Sequence, residues 1–103
     1  MLAKERRFPI QSLPFRGFQR YYSKASFFSL KKYPESTGVA RFAVSIAKKN
    51  LPKAVDRNAV RRLVYSIIRD RFLSLPSGKY LIIIQKTDRL EIMTQDLLTL
   101  FHV

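Results

Sequence analysis

The chain has 103 residues, the length of a single domain. It carries 20 Lys and Arg against 7 Asp and Glu, a net charge of +13. It has no cysteine, which excludes disulfides, thiolate metal sites and a cysteine nucleophile. Hydrophobic residues make up 47% and aromatics 13%, enough for one modest core and an argument against disorder. The charge is segregated: residues 1–62 hold fifteen basic and three acidic side chains, and residues 63–103 hold five and four. The first part of the chain therefore faces something anionic. Met1–Gln11 has no apolar h-region, and the longest apolar run, Tyr80–Ile84, is too short to span a bilayer. A membrane partner is not expected, and a reducing, cytoplasmic setting suits the absence of cysteine.

Ser12-Leu13-Pro14 reads as a helix entry and predicts a short helix over Pro14–Ser23. Phe18 and Tyr22 then share one face at i, i+4. Ser26–Tyr33 is apolar and aromatic without a breaker and predicts a strand. Pro34–Gly38 predicts a turn. Val39–Ala47 alternates, with Ala40, Phe42, Val44 and Ile46 facing one way, and predicts a strand in a hairpin with the one before. Val60, Leu63, Val64, Ile67, Ile68 and Phe72 fall at helical spacing and predict a helix over Ala54–Leu73. Tyr80–Gln85 predicts a buried central strand. Asp88 and Glu91 form a capping signal before a last helix with Leu90, Met93, Leu97, Leu98 and Phe101 on its buried side. The predicted order is α-β-β-α-β-α, a single-domain α+β sandwich whose middle helix is the crossover of a β-α-β unit.

The polar face of that middle helix carries the chemistry. Arg57 and Arg61 are at i, i+4, as are Asn58 and Arg62, and Tyr65 and Arg69 continue the side. Lys48, Lys49 and Lys53 extend the patch towards the helix N-terminus, whose free N–H groups are themselves positive. Asp56, the one acid in Lys48–Arg62, is placed to cap. A solvated basic face is the plain alternative. Arginine dominance favours phosphate recognition, since its planar fork matches phosphate oxygens, so a nucleic acid, RNA or DNA, is the favoured partner. Phe15, Phe18, Tyr21, Tyr22, Phe27 and Phe28 are interleaved with Arg16, Arg20 and Lys24. Most of these aromatics suit a core; some suit a stacking platform for unpaired bases.

A catalytic site of the chain's own is not indicated. His102 stands alone beside the C-terminus, and general acid–base cleavage needs two placed groups. Asp88, Glu91 and Asp96 are read as helix capping and a solvated face, and no metal-ligand spacing or glycine-rich phosphate loop is present.

The stretch Arg41-Phe42-Ala43-Val44-Ser45-Ile46-Ala47-Lys48-Lys49, followed by Lys53-Ala54-Val55-Asp56-Arg57-Asn58-Ala59-Val60-Arg61-Arg62-Leu63, resembles the protein subunit of bacterial ribonuclease P. Phe18-Gln19-Arg20-Tyr21-Tyr22 and Tyr80–Ile84 are similar to it as well. The resemblance implies a ribosomal protein S5 domain 2-like fold with a left-handed crossover. It implies an accessory subunit, without catalytic residues of its own, of an endoribonuclease whose RNA removes the 5′ leader of precursor tRNA with Mg²⁺. Its partners would be ribonuclease P RNA and precursor tRNA, with one protein per RNA. Arg57, Asn58, Arg61 and Arg62 would lie on the RNA subunit. Phe18, Tyr22 and Arg41 would line a cleft for the single-stranded leader.

The sequence departs from that pattern at Ala59, where the family usually has a second arginine, and at Leu51-Pro52, where a glycine is frequent. Tyr65 and Ser66 stand where an Arg and a Glu are common. The competing readings are a ribosomal or other structural RNA-binding protein, a self-sufficient ribonuclease, and a membrane-surface helix.

Overall fold

Two apolar periods, of two residues in strands and of three to four in helices, set the architecture of the computed structural model, which describes residues 6–10, 17–34, 38–46, 53–72 and 75–100. The strands β1 (Gln19–Tyr22), β2 (Phe28–Pro34) and β3 (Ala40–Ile46) precede α1 (Ala54–Arg71), β4 (Gly78–Ile84) and α2 (Leu90–Leu100). They form one sheet in the order β1-β2-β4-β3. β4 runs antiparallel to β2 and parallel to β3, so β3, α1 and β4 make the expected β-α-β crossover.

β4 is central because it is apolar on both faces. Tyr80, Ile82 and Ile84 point to the helices, and Ile82, flanked by Leu30 and Val44 in its cross-strand row, is fully buried. Phe42 and Tyr80 stack at 5.3 Å between ring centroids. α1 adds Val64, Ile68 and Phe72 to this core, and α2 adds Met93, Leu97 and Leu100. Each large side chain so buried stabilises the fold by ~1.5–3 kcal/mol. On the other face Ala43 and Leu81 form a smaller cluster with Phe8. The chain around Phe8 is held there by a parallel bridge from Arg7 to Phe42 on the outer edge of β3.

Four expectations are corrected. Residues 19–22 are a strand rather than part of a helix: Tyr21 stands opposite Leu30 and packs on the core, and β2 supplies the pairing. The helix-entry residues Ser12 and Pro14, and Phe15, lie outside the described residues. β2 and β3 are not hairpin partners, because β4 lies between them. Pro34 and Ala40 both flank Gly78, and so are ~10 Å apart across it, a gap that five residues can span. Gly78 enters β4 buried at φ 153°, a conformation that costs a glycine little. In α2, Met93 and Leu97 are buried and Leu98 partly so, as expected, while Phe101 lies outside the described residues. Asp88 accepts the N–H of Arg89 at 2.7 Å, one residue on, instead of forming the capping pair with Glu91. Asp96 is buried rather than solvated.

Candidate nucleic-acid interface

α1 buries Val64 and Ile68, and its opposite side presents Asn58, Ala59, Arg62 and Arg69 to solvent, with Arg57 and Arg61 half-buried. The N-cap is Lys53, exposed and without a side-chain cap. Asp56 lies in the first turn, where it favours the helix dipole but does not cap. Arg61 Nη1 donates to Asn58 Oδ1 at 3.0 Å, which fixes one edge of the guanidinium and leaves donors on the others. Lys48 and Lys49 lie outside the described residues.

Two members of the predicted patch behave differently from the rest. Arg69 is engaged locally, by Asp70 Oδ1 at 3.2 Å and Ser66 Oγ at 3.5 Å. Tyr65 is half-buried and packs against the core. Burial pushes its phenol up; a hydrogen bond from the Val44 backbone and the charges of Arg7 and Arg61 pull it back.

The second basic surface is the sheet face turned away from the helices. Residues opposite one another in register share a face, so Arg20 and Lys31 fall in one row, Tyr33, Lys79 and Arg41 in another, and Tyr22, Ser29 and Ser45 in a third. Phe18 packs beside Tyr33 at 5.5 Å between centroids. Lys31 Nζ lies 4.9 Å and the Arg20 guanidinium 5.7 Å from the centre of the Phe18 ring. Phe18 is thus partly exposed, outside both core clusters and flanked by cations. Tyr22 is 59% exposed and its hydroxyl accepts from Arg20 at 3.4 Å. The structure therefore brings Phe18, Tyr22 and Arg41 to one face, through strand alternation rather than the expected helical stacking. Lys31, Tyr33 and Lys79 join them. Their signal was the two-residue alternation of β2 and β4, legible only once the pairing is known.

Among the described residues no three His, Asp or Glu side chains come together to hold a metal ion, and no helix is long and apolar enough to cross a membrane.

A mixed four-stranded sheet with both helices on one face and an arginine-bearing crossover helix defines a small, strongly basic α+β domain. The family model described as Ribonuclease P matches residues 11–102, and the chain belongs to that family. The fold agrees. The ribonuclease P protein of Thermotoga maritima superposes with a TM-score of 0.77 at 19% identity, over 94% of this chain and 96% of that one. A structure of ribonuclease P protein from Thermotoga maritima in complex with 1-(4-fluorophenyl)-2-thiourea gives 0.70 at 19% identity, over 84% and 86%. No curated protein matches.

Proposed function

We propose that this chain is the RNA-binding subunit of ribonuclease P and assists a catalytic RNA in removing the 5′ leader from precursor tRNA. α1 docks on the RNA subunit through Arg57, Asn58, Arg61 and Arg62, with Lys48, Lys49, Lys53, Tyr65 and Arg69 beside them. The outer sheet face takes the single-stranded leader, with Phe18 and Tyr22 stacking on bases and Arg41 on phosphate. Cleavage, and the Mg²⁺ it uses, belong to the RNA, and one protein serves one RNA. The observation that supports this best is the Phe18 ring, outside the core and flanked by Arg20 and Lys31. An aromatic between cations is what a stacking site for unpaired nucleotides requires.

The test mixes the protein with precursor tRNA, with and without a bacterial ribonuclease P RNA, at low Mg²⁺. Stimulation of the RNA and no cleavage without it is the expected result. Cleavage by protein alone overturns the accessory role. No effect on the RNA favours a structural RNA-binding protein instead.

A further inference from the structure

We propose that Asp96, acting through Ser23, is the positioning residue that sets the register of β1 and so places Tyr22, rather than its neighbour Tyr21, on the sheet face that takes the leader. The inference rests on the leader reading above and deepens it, because it names what aims one of the two stacking aromatics.

β1 is a four-residue strand with two adjacent tyrosines, Gln19-Arg20-Tyr21-Tyr22. Side chains alternate along a strand, so one tyrosine packs on the core while the other faces out. Tyr21, opposite Leu30, packs on the core, and Tyr22, opposite Ser29, is exposed on the outer face. A slip of β1 by one residue against β2 would exchange them. The two side chains are identical, so burial of a tyrosine does not by itself choose the register. Tyr22 takes a hydrogen bond from Arg20 at 3.4 Å, but Arg20 lies on the same strand and would move with it.

Ser23 supplies the choice. It follows Tyr22, and its hydroxyl meets the Asp96 carboxylate of α2, on the helix side of the sheet, at 2.5 Å. Anchoring Ser23 on that side directs Tyr22 to the opposite one. Ser23 also closes the ladder between β1 and β2. Its N–H donates to the Phe28 carbonyl at 3.0 Å. Its hydroxyl oxygen, in place of its carbonyl, accepts the N–H of Phe28 at 3.0 Å. The Ser23 carbonyl instead accepts the N–H of Ser26 at 3.0 Å. Asp96 takes the N–H groups of Ala25 and Phe27 as well, and Thr99 Oγ1 takes that of Lys24 at 3.0 Å. The connection between the two strands is thus fixed to α2, which Met93, Leu97 and Leu100 seat in the core. A slipped register would turn Ser23 to the outer face and strip a buried carboxylate of its hydroxyl donor, which is costly away from water.

The experiment compares the affinity of reconstituted holoenzyme for precursor tRNA with a leader and for mature tRNA without one. Tyr22→Ala is expected to lower the ratio of the two about tenfold, the loss of one base–aromatic stack. Asp96→Asn keeps the size of the side chain but turns an NH₂ group towards one set of its donors, and Ser23→Ala removes the link itself. Each is expected to lower the ratio about threefold while mature tRNA binds as to the wild type. Because both act through Tyr22, neither should lower the ratio further once Tyr22 is replaced by alanine. Urea unfolding establishes that each variant is folded, and Ser23→Ala, the milder change, decides the matter if Asp96→Asn is not. Three results overturn the positioning role and leave the leader reading standing: a wild-type ratio in either folded variant, an equal loss for both tRNAs, or a loss that persists in full on top of Tyr22→Ala. A wild-type ratio for Tyr22→Ala overturns the leader reading at Tyr22, and the positioning role with it.

Discussion

The Asp96 carboxylate on α2 and the Ser23 hydroxyl at the end of β1, 73 residues apart in sequence, meet at 2.5 Å. The same carboxylate accepts the N–H of Ala25 at 2.6 Å and of Phe27 at 3.0 Å. Ser23 Oγ in turn accepts the N–H of Phe28 at 3.0 Å. One buried acid thereby accepts two backbone N–H groups and a hydroxyl of this turn, while Thr99 Oγ1 takes the N–H of Lys24 and the Ser23 carbonyl that of Ser26. That turn includes Ser26 at φ 62°, a left-handed conformation that a residue with a side chain adopts only when its surroundings impose it. Both Asp96 and Ser23 are almost fully buried, so these bonds are shielded from water. β1 has only four residues and, among the described residues, pairs on one side only, and this turn ties its C-terminal end to α2.

Asp96→Ala should therefore be among the most destabilising single changes on the α2 side of the molecule. It strands two backbone N–H groups, those of Ala25 and Phe27, each at a cost of ~1–3 kcal/mol if no water replaces the carboxylate, while the Ser23 hydroxyl keeps the Phe28 carbonyl as an acceptor at 3.1 Å. A total loss of ~3–5 kcal/mol is expected, against a whole stability of ~5–15 kcal/mol for such a domain. Ser23→Ala should cost less, ~1–3 kcal/mol, because the carboxylate keeps its backbone donors and only the N–H of Phe28 loses its acceptor. Urea unfolding measures both. A loss under ~1 kcal/mol for Asp96→Ala would show that the turn holds without its clamp.

Phe18→Ala should behave in the opposite way. The ring touches Tyr33, Arg20 and Lys31 but neither core cluster, so the stability loss should stay near ~1 kcal/mol. Holoenzyme carrying it should lose much of its preference for tRNA with a leader over tRNA without one. An unfolded Phe18→Ala protein would place that aromatic in the core and remove it from the leader surface.

The contrast between these residues explains what the sequence alone could reveal. α1 and β3 were legible because their apolar period is local: Val60, Val64 and Ile68 on one, Ala40, Phe42, Val44 and Ile46 on the other. β4 declared itself by being apolar on both faces. β1 did not, since Gln19-Arg20-Tyr21-Tyr22 has no alternation and owes its strand form to β2 and to an acid far along the chain. Asp96, with Gln95 before it and Leu97 after, has the spacing of a solvated helix position, and nothing local records the turn it holds. The patch residues Arg57, Asn58, Arg61 and Arg62 were legible from helical spacing.

Ala59→Arg offers a gain-of-function test of the α1 surface. Ala59 is exposed, next to Asn58 and three residues before Arg62. Alanine and arginine are both good helix formers, so stability should change by less than ~0.5 kcal/mol. Affinity for ribonuclease P RNA should rise, and the salt slope should steepen by about one unit. An unchanged slope in a salt titration would mean that this position does not face the RNA.

The buried phenols predict an alkaline limit to stability. Burial raises the pKa of Tyr80, whose hydroxyl donates to the Pro76 carbonyl at 2.7 Å, and that of Tyr65. In the unfolded chain both ionise at the ordinary value of 10.0. The folded state thus holds these protons more tightly than the unfolded state. Their contribution is complete below pH 10.0 and is lost as the pH rises through the raised folded values. Tyr80→Phe should lower stability by ~1 kcal/mol at neutral pH through the lost hydrogen bond, yet flatten the decline above pH 10.0. All other side chains are common to both proteins and cancel in the comparison. Unfolding curves between neutral and strongly alkaline pH measure the two slopes, and parallel slopes would show that the Tyr80 proton is not linked to folding.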